Sequence, residues 1–258
     1  MQNKLLIIGG AVLALGIVGT GGLWATENWL GQRLETGLET ELATATGIDA
    51  AVGKTDVQLL QQKVVFEDLA LANVPGFGTG NLLQIQKIEL SEPSLQGEPV
   101  QVAIANLAGI TVNIEGNLGD FLDPQALGTL SNINITQLLT QLEQQAQAQT
   151  PTDANGQPVV TFAVEQLTVQ DIQVNVNLTV PWQEQAIART LTVPNVTLVE
   201  VTNLNITEKL GESLGPALAE ELFGFFLEEI LPSAQEFLPS NLNLNVPDFP
   251  LAAPEAFQ

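Results

Sequence analysis

The stretch from Ile172 to Val180 alternates apolar and polar residues without a break. Ile172, Val174, Val176, Leu178 and Val180 fall on one side, and the residues between them are Gln, Asn, Asn and Thr. Successive side chains of a strand point to opposite faces, so the pattern predicts a strand with one apolar and one solvated face. A sheet that is wet on one face is usually antiparallel. We therefore expect an antiparallel sheet here.

Shorter runs of the same kind occur elsewhere in the chain. Pro and Gly separate them at positions that suit turns, such as Pro75-Gly76 and Pro99. Together the runs predict an α+β fold, built on a curved and mostly antiparallel β-sheet with a few amphipathic helices. The runs are DVQLL near Val57, residues 63–72, 82–90, 99–105, 109–116 and 159–169, and the segments AIARTLTV and NVTLVEV.

Three segments have helical spacing. The block 26–46 carries a leucine at every fourth position from Leu30 to Leu42 and ends at Gly47. A second helix is predicted over 131–149, where Asn134 and Gln137 resemble a capping box. A third is predicted over 206–231, capped by Asn205 and Glu208, kinked or split by Pro216 and stopped by Pro232.

These patterns divide the chain into six parts. Residues 1–25 are a predicted transmembrane anchor and 26–46 an amphipathic helix. Two β-rich halves follow, each closed by a helix, with a polar linker between them and a proline-rich tail after them. Their ranges are 47–149 for the first half, 150–158 for the linker, 159–231 for the second half and 232–258 for the tail.

The anchor is predicted from Leu5–Trp24, twenty residues without a charge. A helix of that length spans about 30 Å, the thickness of a bilayer's hydrocarbon core. A cleaved signal peptide is the alternative, but its cleavage site would need a small residue where Leu23 stands. Lys4 precedes the run, which favours a cytoplasmic N-terminus and an extracytoplasmic body, periplasmic in a bacterium.

Composition narrows the function classes. The chain has no Cys, His or Tyr, so it lacks thiolate ligands, the commonest general base and the commonest zinc ligand. We predict no catalytic residue, cofactor or metal site, and no enzyme activity. Acidic residues outnumber basic ones 29 to 7, for a net charge of −22. Such a chain repels nucleic acid and the headgroups of anionic lipids.

The polar motifs have ordinary interpretations. The pairs Glu220-Glu221 and Glu228-Glu229 lie on one side of the last predicted helix and are expected to be a solvated face. Four Asn residues begin N-x-T sequons, which matter only where secreted proteins are glycosylated. Alternating Asn and Thr on wet strand faces explain them without sugar. They are Asn134, Asn177, Asn195 and Asn205.

The candidate binding site is apolar. It consists of the strand face from Ile172 to Val180 and the Phe-rich end of the last helix, with Leu222, Phe223, Phe225 and Phe226. Two interpretations stay open. The helix and the sheet cover each other as a plain core, or the curved sheet leaves a groove for acyl chains that the helix lines or caps.

The order of these parts resembles AsmA-like membrane-anchored envelope proteins. The residues that carry the resemblance are Gly47, the Val64–Leu71 run, the Asn73-Val74-Pro75-Gly76-Phe77 turn, Leu82-Leu83, and the segments ITVNIEG, SNINITQLLTQL, FAVEQLTVQDIQVNVNL and LTVPNVTL. Members are often much longer, so this chain would be a short one. The resemblance implies a repeating β-groove, extracytoplasmic placement and a role in envelope lipid transport or homeostasis, with phospholipid or another acyl chain as ligand. The alternative is a non-catalytic assembly factor that binds another envelope protein.

Overall fold

The computed structural model describes residues 27–78, 80–94, 99–117, 133–138, 159–180, 186–230 and 232, and the side chains of residues 27–30, 219, 223 and 226 fall outside this description. The described elements, in chain order, are α1 (Glu27–Thr46), β1 (Ala50–Ala51), β2 (Lys54–Gln58), a 3₁₀ turn (Leu59–Gln61), β3 (Lys63–Ala72), β4 (Asn81–Ser91), β5 (Val100–Asn117), a helical turn at 134–138, β6 (Phe162–Thr179), β7 (Ile187–Val193), β8 (Val196–Thr202), α2 (Ile206–Phe225) and a π-helical turn (Phe226–Ile230).

The predicted α+β class is confirmed: the eight strands form one open, curved and mostly antiparallel sheet with few helices. The strands occupy six columns. β3, β4, β5 and β6 fill the four inner columns in that order. β1 and β2 lie one after the other along the outer side of β3, and β8 and β7 lie one after the other along the outer side of β6.

The antiparallel pairing expected for Ile172–Val180 is confirmed on one side of β6 only. β6 pairs antiparallel with β7 and β8, but it runs parallel to β5. Parallel neighbours need a long connection, and residues 118–161 provide one. The two β-rich halves on either side of the predicted linker are therefore one continuous sheet. The linker itself lies outside the described residues.

Two pairs of predicted runs merge into single long strands. Residues 99–105 and 109–116 both belong to β5, and 159–169 and 172–179 both belong to β6. Each strand is 18 residues long, and every paired residue of β5 lies opposite the residue 62 positions later. The sequence breaks that suggested separate strands mark bends inside them.

The first bend is a crease that crosses four strands. At this line the buried positions step by three instead of two: Phe66 to Leu69, Ile85 to Ile88, Leu107 to Ile110 and Val169 to Ile172. Asp68, Gly109 and Asp171 lie on the line with left-handed φ values of 55°, 67° and 56°. One extra residue normally reverses the faces of a strand. Because all four strands take it together, the register is kept and one face stays apolar throughout.

The crease also divides both edge columns. Gly53, between β1 and β2, donates its N–H to the carbonyl of Glu67 at 3.0 Å. On the opposite edge, Asn195 lies between β7 and β8, and its Oδ1 accepts the N–H of Asp171 at 3.0 Å. The edge strands are short because each column is interrupted where the inner strands bend.

A second crease lies six residues from the first, towards the beginning of β5 and β6. Here the buried positions step from Val102 to Ala105, from Val164 to Leu167 and from Leu198 to Val201. Glu200 in β8 has φ 53°, and at the other side of the sheet Gln62 and Glu92 have φ 49° and 52°. The sheet is thus divided into three facets, which accounts for its curvature.

Asn134 joins three segments at the end of the sheet where β5 and β6 finish. Its buried side chain accepts the N–H groups of Glu115 (3.0 Å) and Ile135 (2.7 Å). It donates to the carbonyl of Asn113 (2.8 Å) and to Oδ1 of Asn73 (3.0 Å). The side chain therefore fixes the helical turn at 134–138 and the β3–β4 loop onto β5.

The same loop is held by a buried carboxylate. Oε2 of Glu115 accepts the N–H of Gly78 at 2.7 Å, and Phe77 packs against the core from the same loop. Asn113 extends the polar contacts across the sheet, because its Oδ1 accepts Nδ2 of Asn175 at 2.9 Å, and Asn175 in turn accepts the hydroxyl of Thr190 at 2.8 Å. The Asn-Val-Pro-Gly-Phe turn is thus anchored by Glu115 of β5 and by Asn134 of the helical turn, both distant from it in sequence.

The helix predictions have mixed outcomes. The helix over 26–46 is confirmed as α1, with Leu34, Leu38 and Leu42 buried. Of the helix predicted over 131–149, only 134–138 is described, and it is helical. No helix among the described residues is long and apolar enough to span a membrane. Leu5–Trp24 lies outside these residues, as does the tail after 232.

The last helix differs from its prediction in two respects. Pro216 does not split α2, which continues to Phe225 before it widens into the π-helical turn. Asn205 starts the helix through its carbonyl, which accepts the N–H of Lys209 at 3.0 Å. Its side chain points back to β8 instead, where it bonds the N–H of Thr202 and the carbonyl of Glu200.

We predict that the first crease depends on Gly109. An alanine there should lower the free energy of unfolding by about 1–2 kcal/mol, the cost of a left-handed conformation for an L-residue, and a valine should lower it further. Asp171→Gly, on the same crease, should be neutral or stabilising because it relieves the same strain. Urea unfolding of the detergent-solubilised chain, followed by circular dichroism, measures both. Equal destabilisation by Asp171→Gly and Gly109→Ala would contradict this account.

We predict that Asn134→Ala lowers the free energy of unfolding by at least about 2 kcal/mol, since it leaves buried backbone groups of Asn113 and Glu115 without this partner. Asn177→Ala is the matched control: it begins the same kind of sequon but lies exposed on β6, so it should change stability by less than about 0.5 kcal/mol. The same unfolding assay compares them, and equal effects would show that the buried amide is not a structural centre.

Candidate functional site

The strand half of the predicted site lies on the apolar face of the sheet. Ile172, Val174, Val176 and Leu178 follow one another along β6, and Val180 comes directly after it. All five side chains are less than 9% exposed, and all five belong to the central hydrophobic core. The alternation in the sequence thus identified which face of the strand is buried.

The apolar face extends well beyond β6. The parallel register sets Ile172 beside Ile110 and Val176 beside Ile114, and the antiparallel ladders bring in β3 and β4. The creases keep these rows aligned from one end of the sheet to the other. The other buried residues of the inner columns that share this face are Val64, Phe66, Leu69, Leu71, Leu83, Ile85, Ile88, Leu90, Val100, Val102, Ala105, Leu107, Ile110, Ile114, Phe162, Val164, Leu167 and Val169. We call this surface, with Ile172–Val180, the apolar face.

The two helices pack at opposite edges of the apolar face. α1 lies against β1 and β2, and Glu39 accepts the N–H of Val52 at 2.8 Å. α2 lies against β7 and β8 at the other edge. The buried leucines of α1 and the buried Ile206, Leu210 and Leu214 of α2 join the same core cluster. The described helices therefore flank the four inner strands.

The helical half of the predicted site is described in part. Phe225 is buried, and Leu222 is partly buried and packs against the core. The side chains of Phe223 and Phe226 lie outside the description. Ile230, at the end of the π-helical turn, is also buried. The end of α2 thus brings apolar side chains into the core that contains the apolar face, as the spacing of these residues predicted.

An ion pair connects this helix end to the sheet, and sequence analysis did not identify it. Nη1 of Arg189 in β7 lies 2.7 Å from Oε2 of Glu228 in the π-helical turn. The hydrogen bond to Glu228 raises the pKa of Arg189, and the nearby carboxylates of Glu229 and Glu221 add to this effect. We call the pair the β7–α2 latch. Glu228 itself is exposed, as expected for the acidic pairs.

The sequence does contain a signal for the latch. In β7, Ile187, Arg189, Leu191 and Val193 share one face, and Leu191 and Val193 are buried. Arg189 is thus one of only seven basic residues in the chain, and it occupies an apolar position of a strand. A cation at such a position requires a partner, and the acidic pairs of the last helix are available.

The π-helical turn is the irregular part of this helix end. Residues Phe226–Ile230 follow α2 directly. Short π-helical segments interrupt the regular hydrogen bonding of a helix and are frequent at functional sites. Here the turn carries both the latch residue Glu228 and the buried Ile230.

The acidic side chains form no metal site within the part of the chain that the structure describes. No three acidic side chains there lie close enough together to hold a metal ion. Glu89 lies between Lys63 and Lys87, at 2.8 Å from each. Their hydrogen bonds, with that from Lys63 the stronger, lower the pKa of Glu89.

Comparison with protein-family models, with curated proteins and with solved structures gave no match to this chain.

Proposed function

We propose that this protein is a membrane-anchored, non-catalytic carrier that binds lipid acyl chains on the apolar face, with a role in envelope lipid transport or homeostasis. The observation that carries the proposal is the continuity of that face. It is free of charged side chains along four inner strands, over two creases, and a helix packs at each edge. The resemblance to AsmA-like proteins points in the same direction.

A ligand can reach this face only if part of the protein moves away from it, because the face is buried in the structure. We assign the movable part to the end of α2, since an exposed ion pair and an irregular turn join it to the sheet. Exposing Phe225 and Ile230 would cost about 3–6 kcal/mol at 1.5–3 kcal/mol for each side chain. An acyl chain of about 15 methylenes gains about 12 kcal/mol relative to water at 0.8 kcal/mol each, whether it lies in a bilayer or on the apolar face. Its transfer from the bilayer to the face is therefore nearly balanced, and the cost of moving the two side chains limits the exchange.

The anchor completes the proposal. We propose that Leu5–Trp24 spans the membrane with a cytoplasmic N-terminus, so that the body is extracytoplasmic. The net charge of −22 makes a broad electrostatic attachment to anionic lipid unfavourable. The tether would therefore be what keeps the apolar face near its source of lipid.

The alternative is a non-catalytic assembly factor that binds another envelope protein. The burial of Ile172–Val180 is the observation that favours it, because a permanently packed core needs no ligand. The two proposals differ in whether lipid ever reaches the face. That difference can be measured directly.

We predict that a phospholipid with a photoreactive acyl chain labels the apolar face of the full-length chain in vesicles. Mass spectrometry of the peptides should find adducts on β5 and β6 as well as on Leu5–Trp24, because chains on the face lie against these strands. The outward residues of the same strands, such as Asn177, are the internal control. Adducts restricted to Leu5–Trp24 would exclude the carrier and favour the assembly factor.

We predict that Arg189→Gln increases labelling of β5 and β6 in the same assay, because the end of α2 is freed from the sheet. Glu228→Gln should act alike, and the double variant should add little to either. Lys87→Gln is the matched control, since it breaks an ion pair with Glu89 on the outer face of the sheet. If labelling is unchanged in both latch variants, the end of α2 is not the movable cover.

A further inference from the structure

Three of the six large apolar side chains that are exposed among the described residues lie at one end of the sheet; the other three are Ile104, Val199 and Leu227. Leu60 is 100% and Leu59 51% exposed, on the 3₁₀ turn between β2 and β3. Leu204, 49% exposed, lies in the turn after β8. β2 ends, β6 begins and β8 ends on this side, as the registers Gln58↔Lys63 and Ala163↔Thr202 show. We call the Leu59–Leu60 turn the apolar tip.

The chain also enters the described structure at this end. A Cβ on Gly31 of α1 would lie 3.1 Å from the carbonyl oxygen of Thr55, and Glu39 bonds the N–H of Val52. Later residues of α1 therefore lie beside earlier residues of the β1–β2 segment, so the two run antiparallel. The start of α1 points towards the apolar tip.

Simple geometry relates the tip to the predicted anchor. α1 rises about 12 Å from Gly31 to Glu39, and the chain covers about 10 Å from Val52 to Thr55. Because the two lengths are similar and the contacts join their ends, the axis of α1 is nearly aligned with that of the strand segment. Leu60 lies five residues beyond Thr55. Three strand residues cover about 10 Å at 3.3 Å each, and two residues of the 3₁₀ turn add about 4 Å at 2 Å each. Glu27 lies only about 6 Å beyond Gly31. The tip therefore extends about 8 Å past the start of α1, and Trp24 precedes that start by three residues.

We propose that the apolar tip inserts into the membrane surface as a second contact beside the anchor. This inference rests on the membrane placement in the proposed function. The partner that the tip contacts is a bilayer of zwitterionic phospholipid. Two leucines in the interface gain transfer free energy without needing anionic headgroups, which the charge of −22 disfavours. With the anchor alone the body could rotate about its tether, whereas two contacts fix its orientation.

The absence of cysteine makes a direct test possible. Leu60→Cys carries an environment-sensitive fluorophore on the tip. Asn177→Cys carries the same fluorophore at the opposite end of the sheet, on the outer face of β6. Leu60 and Asn177 are both exposed, so neither substitution should disturb folding. The full-length chain is reconstituted in phosphatidylcholine vesicles, and quenching is measured with iodide in water and with a brominated acyl chain.

We expect the probe at position 60 to be quenched by the brominated lipid and protected several-fold from iodide, and the probe at 177 to show the reverse. Because both sites carry the same probe, its own affinity for lipid does not explain a difference. If the chain floats with the vesicles but both probes are equally open to iodide, the tip proposal is wrong and the anchor stands. If the chain does not float at all, the membrane placement and the tip proposal both fail. Iodide protection at 60 only when a second protein is present would assign the tip to a protein partner and overturn the proposal.

Discussion

The parallel ladder between β5 and β6 is the constraint on which the rest of the structure depends. Two strands of 18 residues pair without any change of register, each residue opposite the one 62 positions later. Non-local pairing of this length is entropically costly and slow to form. Once it is made, β3 and β4 extend the sheet on one side, and β7 and β8 on the other. The edge helices then have a surface to pack on.

The creases exist because the ladder tolerates no slip. An extra residue in β5 alone would turn half of its apolar side chains to solvent. Instead, the alternation of apolar residues shifts by one position at matched places in β5 and β6, at Gly109 and Asp171. The neighbouring strands β3 and β4 shift at Asp68 and Gln86, which lie on the same line. Left-handed residues absorb the extra length in three of the four strands, at Asp68, Gly109 and Asp171. Curvature and continuity of the apolar face therefore have one common origin.

Sequence patterns predicted the elements well and their assembly poorly. The runs at 63–72 and 82–90 correspond to β3 and β4, and the leucine spacing of 26–46 corresponds to α1. The alternation from Ile172 to Val180 identified the buried face, because burial of one side of a strand is a local property. The parallel neighbour was not predictable from that alternation, since a polar outer face occurs beside either kind of partner.

The polar centres have partners that local rules do not contain. Asn134 and Asn205 both precede helical segments, so local rules predicted that they cap them. In the structure the amide of Asn205 bonds to backbone groups of β8 instead, and the amide of Asn134 bonds to backbone groups of β5 as well as to Ile135. Arg189 and Glu228, 39 residues apart, are likewise brought together only by the packing of α2 on β7. Such partners are set by tertiary contacts, which cannot be read from a short stretch of sequence.

The direction of the long strands gives the proposed function a geometry. β5 and β6 both begin at the end of the sheet that carries the apolar tip, and both run away from it. If that end faces the membrane, the apolar face extends outward from the bilayer for up to about 60 Å, at 3.3 Å per residue. One leaflet of the hydrocarbon core is only about 15 Å thick. A surface several times longer than an acyl chain, continuous over its creases, suits passage along its length better than storage of one molecule in a closed pocket.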